Sequence, residues 1–379
     1  MKNENYETLP AHIKKFRLGV YASEYDQPIS LMRCLGPLQQ MAKEDPRLEL
    51  VQAPLTENGR LLSWSWLNGL DGVFYLHPEQ DFQCYSICLA KSLDVPVWAE
   101  YVDDIFNVDR SNPGWKERRN RDALRVNISV AVTGARVVTT VSNQNRTAIL
   151  EGLDIVDDKD RLLAANKMIV LPEACLWDQQ DAPRQKVVSW RGLGSHAGDI
   201  DHALPHLLDV AKRFQDWTWL FCGDWEIVQE LGKQLCTVTD KEKVMMMPQF
   251  PTPFDMMDAW GRMAPFIHVV PLADTKFNRS KSHLAWLEAT AIGAACIAPD
   301  HLDEWNQPGV IRYHETNLVA TREDMLSEVL SKEMVRFSDG RMHANVAEAR
   351  AAIYPDRTLK SMNRVRWAIL RKFCAPASQ

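Results

Sequence analysis

Lys281, Arg191 and Glu288 are the residues whose types and surroundings point most directly to chemistry. Lys281 and Glu288 lie in the stretch 276–299, KFNRSKSHLAWLEATAIGAACIAP. It reads as a polar, cation-bearing loop feeding a helix that ends at Gly293, with a buried strand over Ala294–Ala298 behind it. A loop that opens onto a helix N-terminus is a cradle for phosphate, because unpaired backbone N–H groups and the positive end of the helix dipole face the anion. Lys281 adds a mobile positive charge, and Glu288, about two turns into the helix, can accept hydrogen bonds from a ribose. The combination suggests a nucleotide-diphosphate ligand. Arg191 lies in a second such stretch, WRGLGSHAGDI over 190–200, between a strand and a helix. Gly192 and Gly194 permit positive φ and close approach of backbone to a ligand. Ser195 or a neighbour can cap the helix that follows, and Arg191 can grip a phosphate with two parallel N–H bonds.

Other readings of these residues compete. Gly192, Gly194 and Gly198 spell GxGxxxG, but they lie mid-chain, and His196 would crowd a pyrophosphate in a dinucleotide fold. A glycine-rich turn before a capped helix is the plainer alternative. His202 and His206 are four apart on one helix, a zinc-compatible spacing without a persuasive third ligand, so they read as a helix-surface pair. Asp103 and Asp104 follow a strand, where α/β enzymes place polar active-site groups, and His77 is similarly placed; all three are candidates for the acceptor side. The stretch Trp115 to Arg125 concentrates five positive charges beside one aromatic residue. It suits the phosphates of nucleic acid, or equally a solvated face that Glu117 and Asp122 partly neutralise.

The elements that must position these groups alternate along two halves. Short apolar strands and amphipathic stretches follow one another, the pattern of parallel sheets covered by helices. In the first half, strands are expected at Arg17–Ala22, Leu48–Ala53, Gly72–Leu76, Val95–Tyr101, Arg136–Ser142 and Met168–Pro172. One helix is expected from Ser30 to Lys43, others from Asp81 to Leu93 and Asn143 to Glu151. In the second half, strands fall at Lys186–Trp190, Trp217–Cys222, Val244–Met247 and Ile267–Pro271, with helices at His202–Gln215 and Phe254–Arg262 and a last one over Thr358–Phe373.

The chain of 379 residues is 46% hydrophobic and 25% charged, long enough for two domains with their own cores. Its net charge of -6 gives no global attraction to nucleic acid or anionic membrane. The 8 cysteines show no paired framework, and the N-terminus carries no apolar signal segment. No apolar run reaches membrane length, so integral membrane association is not expected and a cytoplasmic location is.

With both second-half motifs placed, the sequence resembles a GT-B glycosyltransferase of the retaining family 4, or glycosyl transferases group 1. The resemblance is strongest from about Val187 to Ala298. In that family an E-x7-E motif precedes a small-residue turn and a strand. Glu288, with Gly293 and Ile297–Pro299 after it, matches the second glutamate, which implies that Glu288 holds the donor's ribose. Ser280 stands where the first glutamate would be. Asn278, Lys281 and Ser282 resemble the Asn-x-x-Lys-Ser variant, which implies that Lys281 meets the diphosphate. The stretch from Arg191 to Asp199 resembles the subgroup's loop beside the donor phosphates, which implies that Arg191, Gly194, Ser195 and His196 approach them. Val170-Leu-Pro-Glu173 resembles the interdomain Val-x-Pro-Asn segment, with Glu173 in place of Asn.

The implied architecture is α/β: an acceptor-binding Rossmann-like domain over 1–172, a donor-binding one over 173–357, and a helix over 358–379 crossing back to the first. The implied activity is transfer of a sugar from a nucleotide-diphosphate sugar to an acceptor hydroxyl with retention of configuration. It uses Arg191 and Lys281 as catalytic cations and needs no metal and no cofactor beyond the donor. The acceptor is a glycan or a hydroxymethylated DNA base. A non-catalytic two-domain nucleotide- or sugar-binding protein and a nucleotide-sugar epimerase are the rival readings.

Overall fold

The computed structural model describes residues 8–22, 25, 27–108, 110, 112, 115, 121–314, 325–338 and 340–375. Two six-stranded sheets carry the architecture. The first contains β1 (Phe16–Tyr21), β2 (Leu48–Gln52), β3 (Gly72–Leu76), β4 (Val97–Tyr101), β5 (Val137–Thr140) and β6 (Met168–Val170), in the order β2-β1-β3-β4-β5-β6. The second contains β7 (Gln185–Gly192), β8 (Thr218–Gly223), β9 (Val244–Pro248), β10 (Pro265–Val269), β11 (Ala295–Pro299) and β12 (Ile311–Tyr313), in the order β12-β11-β10-β7-β8-β9. Every pairing is parallel. Strands of such sheets are covered on both faces, which is why β3, β4 and β11 are buried along their whole length.

The covering helices are α1 (Gly36–Glu44), α2 (Asp81–Ser92), α3 (Arg121–Gly134), α4 (Asn143–Gly152) and α5 (Asp158–Lys167) in the first half. The second half has α6 (Ala197–Arg213), α7 (Trp225–Leu235), α8 (Pro253–Met263), α9 (Lys276–Arg279), α10 (Leu284–Ile292), α11 (Leu326–Val335) and α12 (Ala344–Asp356), and α13 (Leu359–Cys374) ends the chain. On α6, Ile200, Ala203, Leu207, Val210 and Ala211 form the buried stripe. Although α13 follows the second sheet in sequence, its Trp367, Leu370 and Phe373 share a core with Phe16, Leu18 and Trp98 of the first. No described helix is long and apolar enough to cross a membrane.

One expected element differs in kind. The helix read over Ser30–Lys43 begins as a single π turn, Ser30–Leu35, before α1. Gly36 donates its N–H to the carbonyl of Leu31, five residues back. Pro37 has no N–H, and its ring would meet the carbonyl of Arg33 in an α-helical turn; the wider π turn relieves that contact. The bulge aims Arg33 inward. Its guanidinium donates to Glu100 at 2.9 Å, to Glu173 at 3.1 Å and to the carbonyls of Leu171 and Pro172 at 2.9 and 3.1 Å. Glu100 also accepts from Thr139 at 2.7 Å. Arg366 of α13 is buried beside this group, and its pKa is pushed down to about 10 by burial and by Arg33. Removing one partner from a buried ion pair strands the other charge. Arg33→Leu is therefore expected to destabilise the protein by about 3–5 kcal/mol in urea unfolding, more than Arg33→Lys.

Candidate active site

In the second sheet the chain runs outward from β7 through β8 to β9, then returns to build β10, β11 and β12 on the other side. Ligands of open α/β sheets gather at the C-terminal ends of the strands where such a reversal occurs. There β7 ends at Arg191 and Gly192, and Gly192 is in register with Gly223 of β8. Gly223 has φ of 144°, and a Cβ on it would lie 1.7 Å from the Gly192 carbonyl oxygen. The left-handed backbone anticipated at Gly192 and Gly194 thus falls at Gly223 instead. Close approach does hold at Gly192, where a Cβ would meet the Trp190 ring at 2.4 Å.

A cavity of about 1400 Å³, counted out to its solvent mouth, opens from these strand ends to the first sheet. Arg191, Gly192, His196, Lys281, Ser282 and Glu288 line it from the second half. Arg33, Val102 and Asp103 line it from the first, with Glu173 between. The ends of β4 and β7 therefore face one another across a cleft, with both expected cations in one cavity.

Arg191 is not a bare charge. Its Nε and Nη2 both donate to Oε2 of Glu288, at 2.7 and 2.6 Å. Burial pushes the Glu288 carboxyl up, and Arg191 opposes that shift. Among the described residues no donor reaches Oε1 of Glu288, so this oxygen can accept from a ligand hydroxyl. Lys281 Nζ lies 3.3 Å from His196 Nε2 and 4.9 Å from the centre of the Phe277 ring. Burial pushes the Lys281 ammonium down, while Asp103 and Asp199 support its charge. His196 has its pKa pushed down to about 4 by burial and then by Lys281. It is neutral near pH 7, and its partners assign the tautomer: Nδ1–H donates to Asp199 Oδ2 at 2.8 Å, and Nε2 accepts from Lys281.

The brace continues inward. Asp199 Oδ1 accepts from Asn278 Nδ2 at 2.7 Å and from Ala273 N at 3.0 Å, and the Asn278 amide also donates to Ala273 O at 2.9 Å. Asn278 is 3% exposed and does not line the cavity; it holds Asp199, which holds His196. Gly194 and Ser195 likewise stand off the cavity, in the 3-10 turn before α6. Ser195 does not cap that helix: His196 takes the N-cap position, with no side-chain capping bond. His283 does the same for α10, whose Leu284 and Ala285 line the cavity. The start of α10, without a side-chain cap, thus opens at this site, an arrangement that favours an anion, whereas α6 brings only its N-cap residue His196 to the cavity. Ser282 Oγ donates to Glu173 at 3.3 Å. Ser280 is buried, its hydroxyl bonded to Phe277 O at 2.8 Å and its carbonyl to Ser142 of α4 at 3.2 Å.

The acceptor-side candidates part company. Asp103 lines the cavity, but Asp104 is buried and closes its own turn, accepting from Phe106 N, Asn107 N and Asn107 Nδ2 at 3.1, 3.2 and 2.8 Å. His77 joins the ends of β3 and β4, its Nε2 accepting from Val102 N at 3.2 Å and its backbone at φ of 54°. It does not line the cavity. Of the basic stretch, residues 116–120 lie outside the described ones; Arg110 sits over the Trp115 ring at 5.6 Å. His202 and His206 are on α6 away from the cavity, with His206 Nδ1 3.4 Å from Ser327 Oγ. Among the described residues, no group of three or more His, Cys, Asp or Glu could hold a metal ion.

Sequence reasoning missed Arg33, and missed the apolar wall of Phe250, Pro253 and Met256 at the start of α8. Thr252 caps α8 and Pro253 opens it, a start signal legible in the sequence. His268 of β10 was missed too. It is 1% exposed and 3.1 Å from Ser189 Oγ, and it lines the cavity floor with its pKa pushed down to about 3 by burial and Arg191.

No family model and no curated sequence matches the chain. Solved structures do. A glycosyltransferase from Rickettsia africae is similar with a TM-score of 0.57 at 9% identity, over 96% of this chain and 100% of that one. A putative UDP-N-acetylglucosamine 2-epimerase from Listeria monocytogenes gives 0.55 at 9% identity, over 96% and 98%. The pneumococcal O-GlcNAc transferase GtfA, solved with UDP and GlcNAc, gives 0.53 at 8% identity, over 83% of this chain and 60% of that one. The chain has the fold these proteins share: two Rossmann-like domains facing across a cleft, the GT-B arrangement.

A histidine buried neutral lends stability above its unfolded pKa, and loses it as pH falls and the unfolded chain takes up the proton first. His268, at about 3 in the fold, should act so between pH 6 and pH 4. His268→Gln is expected to flatten the fall of unfolding free energy there by about 1.4 kcal/mol per pH unit, read by urea titration at several pH values. An unchanged slope would contradict a buried neutral imidazole.

Proposed function

We propose that this chain is a glycosyltransferase that moves a sugar from a nucleotide-diphosphate sugar to an acceptor hydroxyl. The observation that carries the reading is the convergence of Arg191, Lys281 and the uncapped start of α10 on one interdomain cavity. As the bond from the anomeric carbon to the diphosphate breaks, negative charge grows on the leaving oxygen and positive charge on the sugar ring. Cations and backbone dipoles already aimed at the leaving group stabilise that change without reorganising. Glu288 Oε1 is placed to accept from the ribose, and neutral His196 orients Lys281 without adding a competing charge. Asp103, facing from the first domain, marks the side on which an acceptor would enter. The resemblance to retaining enzymes supports retention of configuration, and the paired cations support metal-independent transfer.

A glycan hydroxyl is the acceptor the reading favours. A hydroxymethylated DNA base was suggested by the basic stretch, but its described part sets Asp122 between Arg121 and Arg125. An epimerase is the second reading, favoured by the likeness to the Listeria protein. It would interconvert UDP-sugars with no acceptor present.

Sugar release from UDP-sugars tests the proposal. Lys281→Ala is expected to lower the rate by about 10²–10³ while the melting curve of the free protein stays put, as for loss of one preorganised donor. Excess chelator is expected to leave the wild-type rate unchanged. An unchanged rate in Lys281→Ala removes Lys281 from the chemistry, and full loss in chelator restored by Mg²⁺ ends the metal-independent reading.

A further inference from the structure

The start of α4 grips both sides of the donor cavity. Ser142, its N-cap, accepts from Asn145 N at 2.9 Å and donates its own hydroxyl to the carbonyl of Ser280, the residue before Lys281. The next free amides of the helix, Asn143 N and Gln144 N, reach Oε1 of Glu304 in the other domain at 3.1 and 3.4 Å. The Gln144 side chain adds a bond to Asp303 at 3.4 Å. Glu304 belongs to the 3-10 turn Asp303–Trp305, whose Trp305 lines the donor cavity. A carboxylate from one domain therefore caps a helix of the other, where the dipole and the unpaired N–H groups favour it.

The contact is polar, and its bonds to Glu304 and Asp303 lie at or near the surface. Such bonds exchange for bonds to water at little net cost when the two sides part. This junction is suited to opening and closing rather than to permanent packing.

We infer that the N-terminus of α4 and Glu304 form a clasp that holds the domains closed over the donor cavity. Ser142 and Glu304 are then positioning residues, acting through Lys281 and Trp305. The clasp stands on geometry alone; only its effect on donor binding rests on the nucleotide-sugar reading.

The chain supplies its own reporters. Among the described residues Cys88 of α2 and Cys236, just after α7, are the exposed cysteines, one in each domain, and Cys374 is half-buried. With Cys374→Ser as background, spin labels on Cys88 and Cys236 report the interdomain distance. Glu304→Ala is expected to lower the closed-to-open ratio roughly tenfold, towards the upper range for a charge lost from a helix start. Glu304→Gln, which keeps an oxygen for the two amides but loses the charge, is expected to restore part of it. UDP is expected to sharpen the short distance in the parent protein and to bind Glu304→Ala about tenfold more weakly. A Glu304→Ala distribution identical to the parent's overturns the clasp, even where that variant melts lower. UDP that neither binds nor shifts the parent counts against the nucleotide-sugar reading, while the Glu304→Ala comparison still decides the clasp.

Discussion

Two positive charges held in a partly dry cleft are the constraint that organises the rest of this molecule. Arg191 and Lys281 cannot sit in one cavity without groups that fix their direction and limit their repulsion. Glu288 does this for Arg191 through one oxygen, keeping the other open. For Lys281 the support is a neutral imidazole, held by Asp199, which is held in turn by Asn278 and the Ala273 amide. Burial keeps His196 uncharged, so the relay orients Lys281 without a third cation in the cavity.

That relay is possible because of where the second sheet reverses. Arg191 leaves β7 and the loop carrying Lys281 follows β10, and these two strands are adjacent. Gly223 lets β8 close against Gly192 where any other residue would strike its carbonyl. From the other side, Arg33 fixes Glu173, and Glu173 accepts from Ser282 next to Lys281. A buried charge network in the first domain thus touches the loop that carries Lys281 in the second.

Much of this is legible in the sequence. Alternating apolar runs located the strands because parallel strands buried on both faces leave little room for polar residues. Helix α10 was legible from its loop, its ending at Gly293 and its position before a buried strand. Less legible were features set by tertiary contact. Helix α5 buries little besides Ala164, so it has almost no stripe to detect. The π turn depends on Pro37 acting at Arg33, a conflict that apolar periodicity does not register. Asn278 and Asp104 are polar residues in the expected places, yet their side chains serve the backbone and Asp199, because a buried amide or carboxylate binds the nearest partners. Position in a motif locates a residue along the chain; hydrogen-bond demand decides which way it points.

The most direct test of the paired cations is calorimetric titration of the unmodified protein with UDP and, separately, with uridine. If Arg191, Lys281 and the start of α10 grip a diphosphate, UDP binds at least about a hundredfold more tightly than uridine, the equivalent of two charge-assisted contacts. Equal affinities for the nucleoside and the diphosphate would contradict the account at its centre.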